Sequence, residues 1–174
     1  KRKALSKKAK IAVVKKQVQD GETFRGFVQR VNDEIDVQRS KKRTHADKEY
    51  DLFTLMPRPL LNWAVILFRW LDYHNILPNA FIETDGMYAS IFVANLGSLK
   101  MRAGYHHLYE WGNCPLFMMV GMIEEKPWVV DDEVVPRKIL HIRYSFDERV
   151  DDGLSARFGQ EAVSRALENP FEEL

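Results

Sequence analysis

Near the end of the chain the hydrophobic pattern changes period at a short polar loop. Apolar and polar residues alternate from Ile139 to Phe146, which predicts a strand. From Leu154 to Leu167 the apolar residues recur every three or four positions, which predicts an amphipathic helix that stops at Asn169-Pro170. The loop at 147–153 joins them, and Asp152 is placed to cap the helix. Loops on a rigid scaffold often carry sites, so this region is the first candidate for function.

Two further helices are predicted earlier in the chain. Residues 22–38 trace one apolar helical face, with Asp20 or Thr23 as the cap. Residues 60–73, which follow two prolines and end at His74, are apolar on nearly all sides. A helix of this kind must be covered on most of its surface, so we expect a neighbouring subunit to contribute.

Short apolar runs predict the strands. The run at 116–123 is uninterrupted, which is typical of a central strand covered on both faces. An acidic turn at 131–133 predicts a hairpin over 128–135 that returns to the strand at 139–146. Other strands are expected at 11–14 and in a hairpin that pairs 81–84 with 88–96.

Composition predicts a single domain. The 174 residues are 45% hydrophobic, enough for one sizeable core over 1–174, with a basic arm at 1–10 and a surface connection at 39–56. The net charge of +1 disfavours nucleic acid as a partner. The N-terminal lysines are interpreted as a solvated arm; the alternatives are a patch for the phosphates of a cofactor, for an acidic protein or for nucleic acid.

The only cysteine, Cys114, lies before Pro115 in an expected turn and is interpreted as structural. A single cysteine excludes an intrachain disulfide and fits a reducing compartment. No signal peptide is recognised, and the most apolar run, 60–71, is shorter than the ~20 residues that a bilayer requires. These observations together predict a cytoplasmic protein that is not in a membrane.

The loop also resembles a known signature. Residues 145–153 read Ser-Phe-Asp-Glu-Arg-Val-Asp-Asp-Gly, similar to the Ser-(Tyr/Phe)-Asp-His-Arg-x-x-Asp-Gly motif of the acyltransferase domains of 2-oxo acid dehydrogenase complexes, relatives of chloramphenicol acetyltransferase. Residues 92–97, Phe-Val-Ala-Asn-Leu-Gly, resemble the family's Asn-Leu-Gly strand end. Asn113-Cys114-Pro115 and the strand after it resemble the family's Asn-Pro-Pro segment.

Two departures from the family pattern bear on chemistry. The motif histidine, which in the family takes the proton from the thiol of coenzyme A or dihydrolipoamide, is Glu148 here. The family serine that donates a hydrogen bond to the oxyanion is Ala94, and a methyl group cannot donate. A carboxylate of ordinary pKa ~4.3 is a poor base for a thiol of pKa ~8.5 unless burial raises the carboxylate's pKa. Asp152 matches the family residue that holds the loop, with Arg149 as its candidate ion partner.

The histidines at 106 and 107 are candidate substitutes for the missing base. The family's matching segment lines the subunit interface near the acyl-transfer channel, so His106 or His107 would be the replacement if the protein is an enzyme of altered mechanism. The structural alternative is an interface residue bonded to a neighbour. On a strand, adjacent side chains face opposite ways, so the two histidines are not expected to form one metal site.

The resemblance implies an α/β fold, a chloramphenicol acetyltransferase-like two-layer mixed sheet with helices that lacks the N-terminal part. It implies a homotrimer with a site between subunits, and coenzyme A or acyl-coenzyme A as co-substrate near Ala94, Asn95, Gly97 and Arg149. No metal spacing and no room for a lipoyl attachment domain is found. Two hypotheses follow: an acyl-coenzyme A dependent acyltransferase of weak or lost activity, in which Glu148, helped by Asp152 or a histidine, is the base; or a non-catalytic trimeric scaffold or binding protein.

Overall fold

A computed structural model describes residues 13–39 and 55–170. The chain clusters into two compact units, Lys1–Gly86 and Met87–Leu174, and each is described by itself. The expectation of a single domain stays a prediction. Much of the predicted basic arm and surface connection lies outside the described residues, as do Ile11 and Ala12 of the predicted first strand. The other two residues of that strand, Val13 and Val14, have no regular secondary structure.

The first helix of the first unit, α1, spans Phe24–Arg39 and confirms the predicted helix. The hydroxyl of Thr23 accepts a hydrogen bond from the backbone N–H of Gly26 at 3.2 Å, so Thr23 is the cap. Glu22 and Arg30 form a two-point ion pair, with nitrogen to oxygen distances of 2.6 and 2.5 Å. Arg30 also donates to the carbonyl of Gln17 at 2.8 Å, which fastens the segment before the helix to its second turn.

The second helix, α2, spans Arg58–Tyr73, with Pro59 in its first turn and His74 at its C-terminal cap, as predicted. Asn75 adopts a left-handed φ of 56°. The N–H of Asn75 bonds the carbonyl of Asp72 at 2.9 Å, and the N–H of Ile76 bonds that of Leu71 at 2.9 Å. This pair of bonds is a Schellman motif, which satisfies the last carbonyls of the helix. No residue of α2 is buried among the residues that the structure describes, so these residues do not supply the predicted cover.

The prediction of a strand over residues 81–84 is wrong. These residues belong to a short helix, α3, at Asn79–Thr84. Pro78 sets the extended backbone of the N-terminal cap. The ammonium group of Lys15 donates to the carbonyls of Ile82 and Asp85 at 2.5 and 3.1 Å, and so satisfies the end of the helix. Residues 81–84 read Phe-Ile-Glu-Thr, a segment too short for its periodicity to separate helix from strand, and the proline and the lysine decide for helix.

The second unit is built on a mixed three-stranded sheet within the described residues. The strands are β1 (Phe92–Asn95), β2 (Leu116–Val130) and β3 (Glu133–Phe146), in the order β1-β2-β3. β1 is parallel to β2, and β3 is antiparallel to it. A 3₁₀ turn at Gly97–Leu99 follows β1, and the helix α4 (Gly153–Glu168) follows β3. The predicted strand before the loop, the central position of β2 and the closing helix are confirmed, whereas only 92–95 of the run 88–96 is a strand.

The hairpin between β2 and β3 has a two-residue turn. Val130 pairs with Glu133, so Glu133 already belongs to β3. Asp131 and Asp132 have φ values of 51° and 64°. Left-handed φ at both central residues is the signature of a type I′ turn, which suits the twist of the flanking strands and favours glycine at its second position. The predicted acidic hairpin is therefore confirmed.

The sheet is covered by its own chain on one face. Phe117 and Met119 are buried and pack with Phe92, Ala94 and a covering segment at 101–109, which has no regular secondary structure. The opposite face carries Leu116, Met118 and Val120, which are only half-buried. The prediction that β2 is covered on both faces is therefore wrong for the single chain in the described residues. A continuous apolar run shows that both faces are apolar and does not show what covers them.

Asp132→Gly should stabilise the protein by up to ~1 kcal/mol, because glycine adopts a left-handed φ without the steric cost that an L side chain carries. Urea unfolding of the purified protein measures the change. Glu133→Gly, one residue further and within β3, is the control and should lower the free energy of unfolding by roughly 0.5–1 kcal/mol. A lower stability for Asp132→Gly would contradict the type I′ assignment.

Candidate active site

The candidate loop begins where β3 ends and is tied to the start of β2. Leu116 pairs with Phe146, the last residue of β3. The N–H of Asp147 then bonds the carbonyl of Pro115 at 2.9 Å. The N–H groups of Val150 and Asp151 bond the carbonyl of Asp147 at 3.0 and 3.3 Å, which closes a compact turn. The position of the loop is therefore set by the β2-β3 register.

Asp147 organises this turn, and sequence reasoning did not single it out. Its Oδ1 accepts the backbone N–H of Arg149 at 3.0 Å, and its carboxylate accepts the Arg149 guanidinium at 2.6–3.1 Å. These bonds lower the pKa of Asp147 from 3.8 to about 2. An aspartate two residues before an arginine is the sequence signal for such a turn, since an aspartate side chain often bonds the backbone two residues on.

Asp152 caps α4 as predicted. Its Oδ1 accepts the N–H of Ser155 at 2.9 Å, and this bond lowers the pKa of the Asp152 carboxyl. The expected ion pair between Asp152 and Arg149 is not what the structure shows, because the guanidinium bonds Asp147 instead. The difference follows from the local geometry. Asp147 and Arg149 are two residues apart within one turn, whereas the Asp152 carboxylate caps the first turn of α4.

Glu148, at the position of the family's base, lies on the exposed outside of the turn. Both of its neighbours are engaged with each other, Asp147 through its carboxylate and Arg149 through its guanidinium. A carboxylate can act as a base toward a thiol only when it is desolvated. The described part of the chain leaves Glu148 exposed and does not supply this desolvation.

The end of β1 and the turn after it carry three of the predicted cofactor-binding residues. Ala94 packs against the buried cluster of Phe117 and Met119. Asn95 accepts the N–H of Ser98 through its Oδ1 at 3.1 Å, which shapes the 3₁₀ turn. At Gly97 a Cβ atom would lie 2.4 Å from the carbonyl oxygen of Gly121, so this glycine is required by a close backbone approach.

Within one chain the two halves of the expected site lie apart. Ala94 is opposite Met119 in β2, whereas Asp147 is bonded to Pro115 on the other side of β2. These two positions are four residues apart along the strand direction, at ~3.3 Å per residue, and two strands apart across the sheet, at ~4.8 Å per strand. The distance between them is therefore on the order of 15 Å. A single thiol cannot contact both at that distance. The residues that match the base and the oxyanion donor therefore do not lie together within one chain.

The two histidines lie side by side, which corrects the expectation that they face opposite ways. Residues 101–109 are not a strand, and the rings of His106 and His107 have centroids 5.0 Å apart. The His106 ring stacks on Phe117, with centroids 4.2 Å apart and an interplanar angle of 5°. The His107 side chain is exposed.

The tautomer of both histidines follows from their contacts. Nδ1 of His106 lies 2.5 Å from the carbonyl oxygen of His107, and Nδ1 of His107 lies 2.9 Å from that of Leu108. A carbonyl oxygen only accepts, so each Nδ1 carries the proton and donates. In the neutral ring Nε2 then holds the lone pair, which is the form that acts as a base.

Cys114 has the structural surroundings that were predicted. Its thiol donates to the carbonyl of Leu116 at 3.4 Å, and burial raises the pKa of the thiol. A raised pKa disfavours the nucleophilic thiolate. Across residues 13–39 and 55–170, no group of three or more metal-ligating side chains lies together. Among the helices of those same residues, none has the length and apolarity to cross a bilayer.

The mixed sheet, the loop and the capped helix of the second unit form an α/β arrangement. The sequence model of the family "2-oxoacid dehydrogenases acyltransferase (catalytic domain)" matches residues 83–174. This is more than half of the 174 residues, and the chain belongs to this family. All eight predicted site residues lie within the matched region.

One curated protein and one solved structure are similar to parts of the chain. The chain is 40% identical over 60 residues to the lipoamide acyltransferase component of the branched-chain alpha-keto acid dehydrogenase complex of Pseudomonas putida, which covers 33% of this chain and 14% of that protein. A probable dihydrolipoamide acetyltransferase from Listeria monocytogenes 4b F2365 is 20% identical, with a TM-score of 0.37, over 57% of this chain and 41% of that one. The chain thus matches well under half the length of either relative.

The Asp147–Arg149 contact should make stability depend on acid pH. The folded pKa of about 2 is below the ordinary 3.8, so the stabilisation is present above pH ~4 and is lost as the pH falls toward 2. Arg149→Ala should therefore destabilise the protein at neutral pH and have a shrinking effect in acid, as measured by urea unfolding at a series of pH values. In an Asp147→Asn background, the effect of Arg149→Ala should not change with pH. A constant difference between wild type and Arg149→Ala down to pH ~2 would contradict the assignment.

Gly97→Ala should destabilise the protein by on the order of 2 kcal/mol, because the new methyl group would collide with the backbone of β2 rather than with a movable side chain. Gly159→Ala in α4 is the matched control, since nothing lies within 4 Å of its Cβ position. That control should gain up to ~1 kcal/mol from helix propensity. Thermal and urea unfolding measure both variants, and equal stabilities would show that the Gly97–Gly121 approach is not required.

Proposed function

We propose that this chain is a homotrimeric, cytoplasmic acyltransferase-family protein that binds coenzyme A or an acyl-coenzyme A between subunits and transfers acyl groups weakly. One contrast carries the proposal. The candidate loop is held by its own hydrogen bonds, whereas the two family positions that act on the substrate have different side chains in this chain. Asp147, Arg149 and Asp152 hold the loop with internal hydrogen bonds. The positions of the family's base and oxyanion donor are a carboxylate and a methyl group, Glu148 and Ala94.

The separation of the two half-sites supports a site between subunits. The loop of one chain and the turn after β1 of the same chain lie on opposite sides of β2. A three-fold arrangement would bring the loop of one subunit to the Asn95–Gly97 turn of the next. Such an interface would also supply the desolvation that Glu148 lacks in the single chain.

Weak activity follows from the two substitutions. A positioned general base contributes roughly 10²–10⁴ in rate, and an oxyanion donor contributes roughly 10²–10³. His106 and His107 are alternative bases because each has Nε2 as its lone-pair nitrogen. His106 lies over Phe117, whose neighbour across the strands is Phe92, and Ala94 is on the same face of the sheet as that pair. The histidine segment is thus on the oxyanion side of the expected site.

A non-catalytic trimeric scaffold is the second candidate, and one observation favours it. Arg149, one of the residues expected to bind coenzyme A, already donates to the Asp147 carboxylate through Nε and Nη2 of its guanidinium. A scaffold would keep the fold and bind no acyl donor. Nucleic-acid binding through the N-terminal lysines is a third and weaker idea, and residues 1–10 lie outside the described part of the chain. It would require a steep salt dependence that is lost on removal of those residues.

The double variant Glu148→His with Ala94→Ser should gain acyl transfer over the wild type by at least ~10²-fold, because it restores the base and the oxyanion donor together. The measurement is release of free coenzyme A from several acyl-coenzyme A donors, with dihydrolipoamide as acceptor. The single variants are the controls and should each give a smaller gain. The wild type should show no more than trace turnover.

Binding and turnover separate the two candidates. Calorimetric titration with coenzyme A should show binding to the wild type if the site is retained, whereas absence of binding together with a trimeric mass would support the scaffold. Robust wild-type turnover that collapses in Glu148→Gln would overturn the proposal of a weakened site. Loss of turnover in His106→Gln or His107→Gln instead would assign the base to that histidine.

A further inference from the structure

The helix α2 carries an apolar stripe on its exposed surface. The proposed acyl transfer involves none of the residues of this stripe. Phe68 of α2 faces the rest of the first unit, where its ring stacks on that of Phe81 with centroids 5.1 Å apart. On its outer side six large apolar residues, each more than half exposed, recur at helical spacing: Leu60, Trp63, Ile66, Leu67, Trp70 and Tyr73. This set is called the outer stripe. A contiguous apolar surface of this kind marks an interaction site.

The outer stripe is large enough for a stable interface. Trp63, Trp70 and Tyr73 expose 71%, 54% and 82% of their surface. An aromatic side chain buries roughly 150–250 Å², so these three offer on the order of 400 Å². The three aliphatic residues bring the stripe close to the ~800 Å² per partner of a standard protein interface. Tryptophan and tyrosine are also the residues that most often carry binding energy at interfaces.

The spacing of the outer stripe is symmetric about its centre. If a second α2 helix lies antiparallel, with a two-fold axis between Ile66 and Leu67, each stripe residue faces another stripe residue. The facing pairs are Leu60 with Tyr73, Trp63 with Trp70, and Ile66 with Leu67. A surface that is its own complement under a two-fold rotation is the requirement for an isologous dimer.

The charges of α2 are compatible with the same pairing. In this register Arg69 corresponds to Ala64 of the other copy, Asp72 to Leu61, and Arg58 to Asn75. No charged side chain is placed opposite another of the same sign. The antiparallel arrangement also sets the positive end of one helix dipole beside the negative end of the other.

We propose that the outer stripe of α2 is a self-association surface, at which a second copy of this chain packs antiparallel across a two-fold axis. α2 belongs to the first unit, whereas every candidate residue of the acyltransferase site belongs to the second. If the protein also forms trimers, α2 pairing joins them two by two.

The test is the mass of the full chain in solution. Trp63→Glu places a buried charge in each half of the pair and should weaken association at least ~30-fold, so that the mass measured by light scattering or sedimentation falls by half at micromolar concentration. Asn62→Glu introduces the same charge on the polar side of the same helix and should leave the mass unchanged. Both positions are exposed, so both variants should fold, and circular dichroism verifies that they stay helical.

The register is tested with two variants that remove the same apolar area. Trp63→Glu with Trp70→Lys places opposite charges across the antiparallel pair at two points, whereas Trp63→Glu with Trp70→Glu places like charges there. The first should retain the dimer at concentrations where the second is dissociated. Equal dissociation of both, or a like effect of Asn62→Glu and Trp63→Glu, would overturn the pairing.

Other occupants of the outer stripe give different results. If another part of the same chain covers it, Trp63→Glu leaves the mass unchanged and lowers the free energy of unfolding. If a lipid surface covers it, the wild type sediments with phosphatidylcholine vesicles and shows no mass change with concentration in their absence. Either result would overturn the proposal.

Discussion

The second unit depends on a place where three backbone segments meet without side chains between them. Gly97, after β1, approaches the carbonyl of Gly121 in β2, and a Cβ on Gly121 would lie 2.6 Å from the backbone nitrogen of Ala103. The N–H of Leu96 bonds the carbonyl of Val120, and the N–H of Met122 bonds that of Met101. This contact fixes where the turn after β1 lies and where the covering segment starts. It thereby places the His106 ring over Phe117, and it places Ala94 against the core.

Long periodic segments were predictable from the sequence because the period itself reports the structure. β3 shows alternation and α1 shows helical spacing, and both have the predicted type. The short segment Asn79–Thr84 was not predictable, because its three apolar residues fit either period and the deciding contact comes from Lys15, far away in the chain. The position of the covering segment at 101–109 was equally unpredictable from the sequence. Its position depends on glycine contacts with β2 and not on any pattern of its own.

In the candidate site, too, some features follow from the local sequence and others depend on residues far apart in the chain. The cap formed by Asp152 follows from local sequence, since an aspartate before a helical pattern has one evident use. The partner of Arg149 did not follow from the family motif, because two acidic residues lie within reach and only the turn geometry selects Asp147. That the two half-sites lie on opposite sides of β2 required the strand order, which no motif contains.

Burial connects these features. Among the described residues the buried hydrophobic side chains are few: Leu77, Tyr88, Ala103, Phe117 and Met119. Large apolar side chains are instead exposed on α2 and on α4, where Leu154 and Phe158 are each 59% exposed. Net stability is a small difference between burial and conformational entropy, so apolar side chains left in water on these helices add little to it. The proposed association would cover such side chains. If the chains associate as proposed, the step that brings the two half-sites together would also add burial.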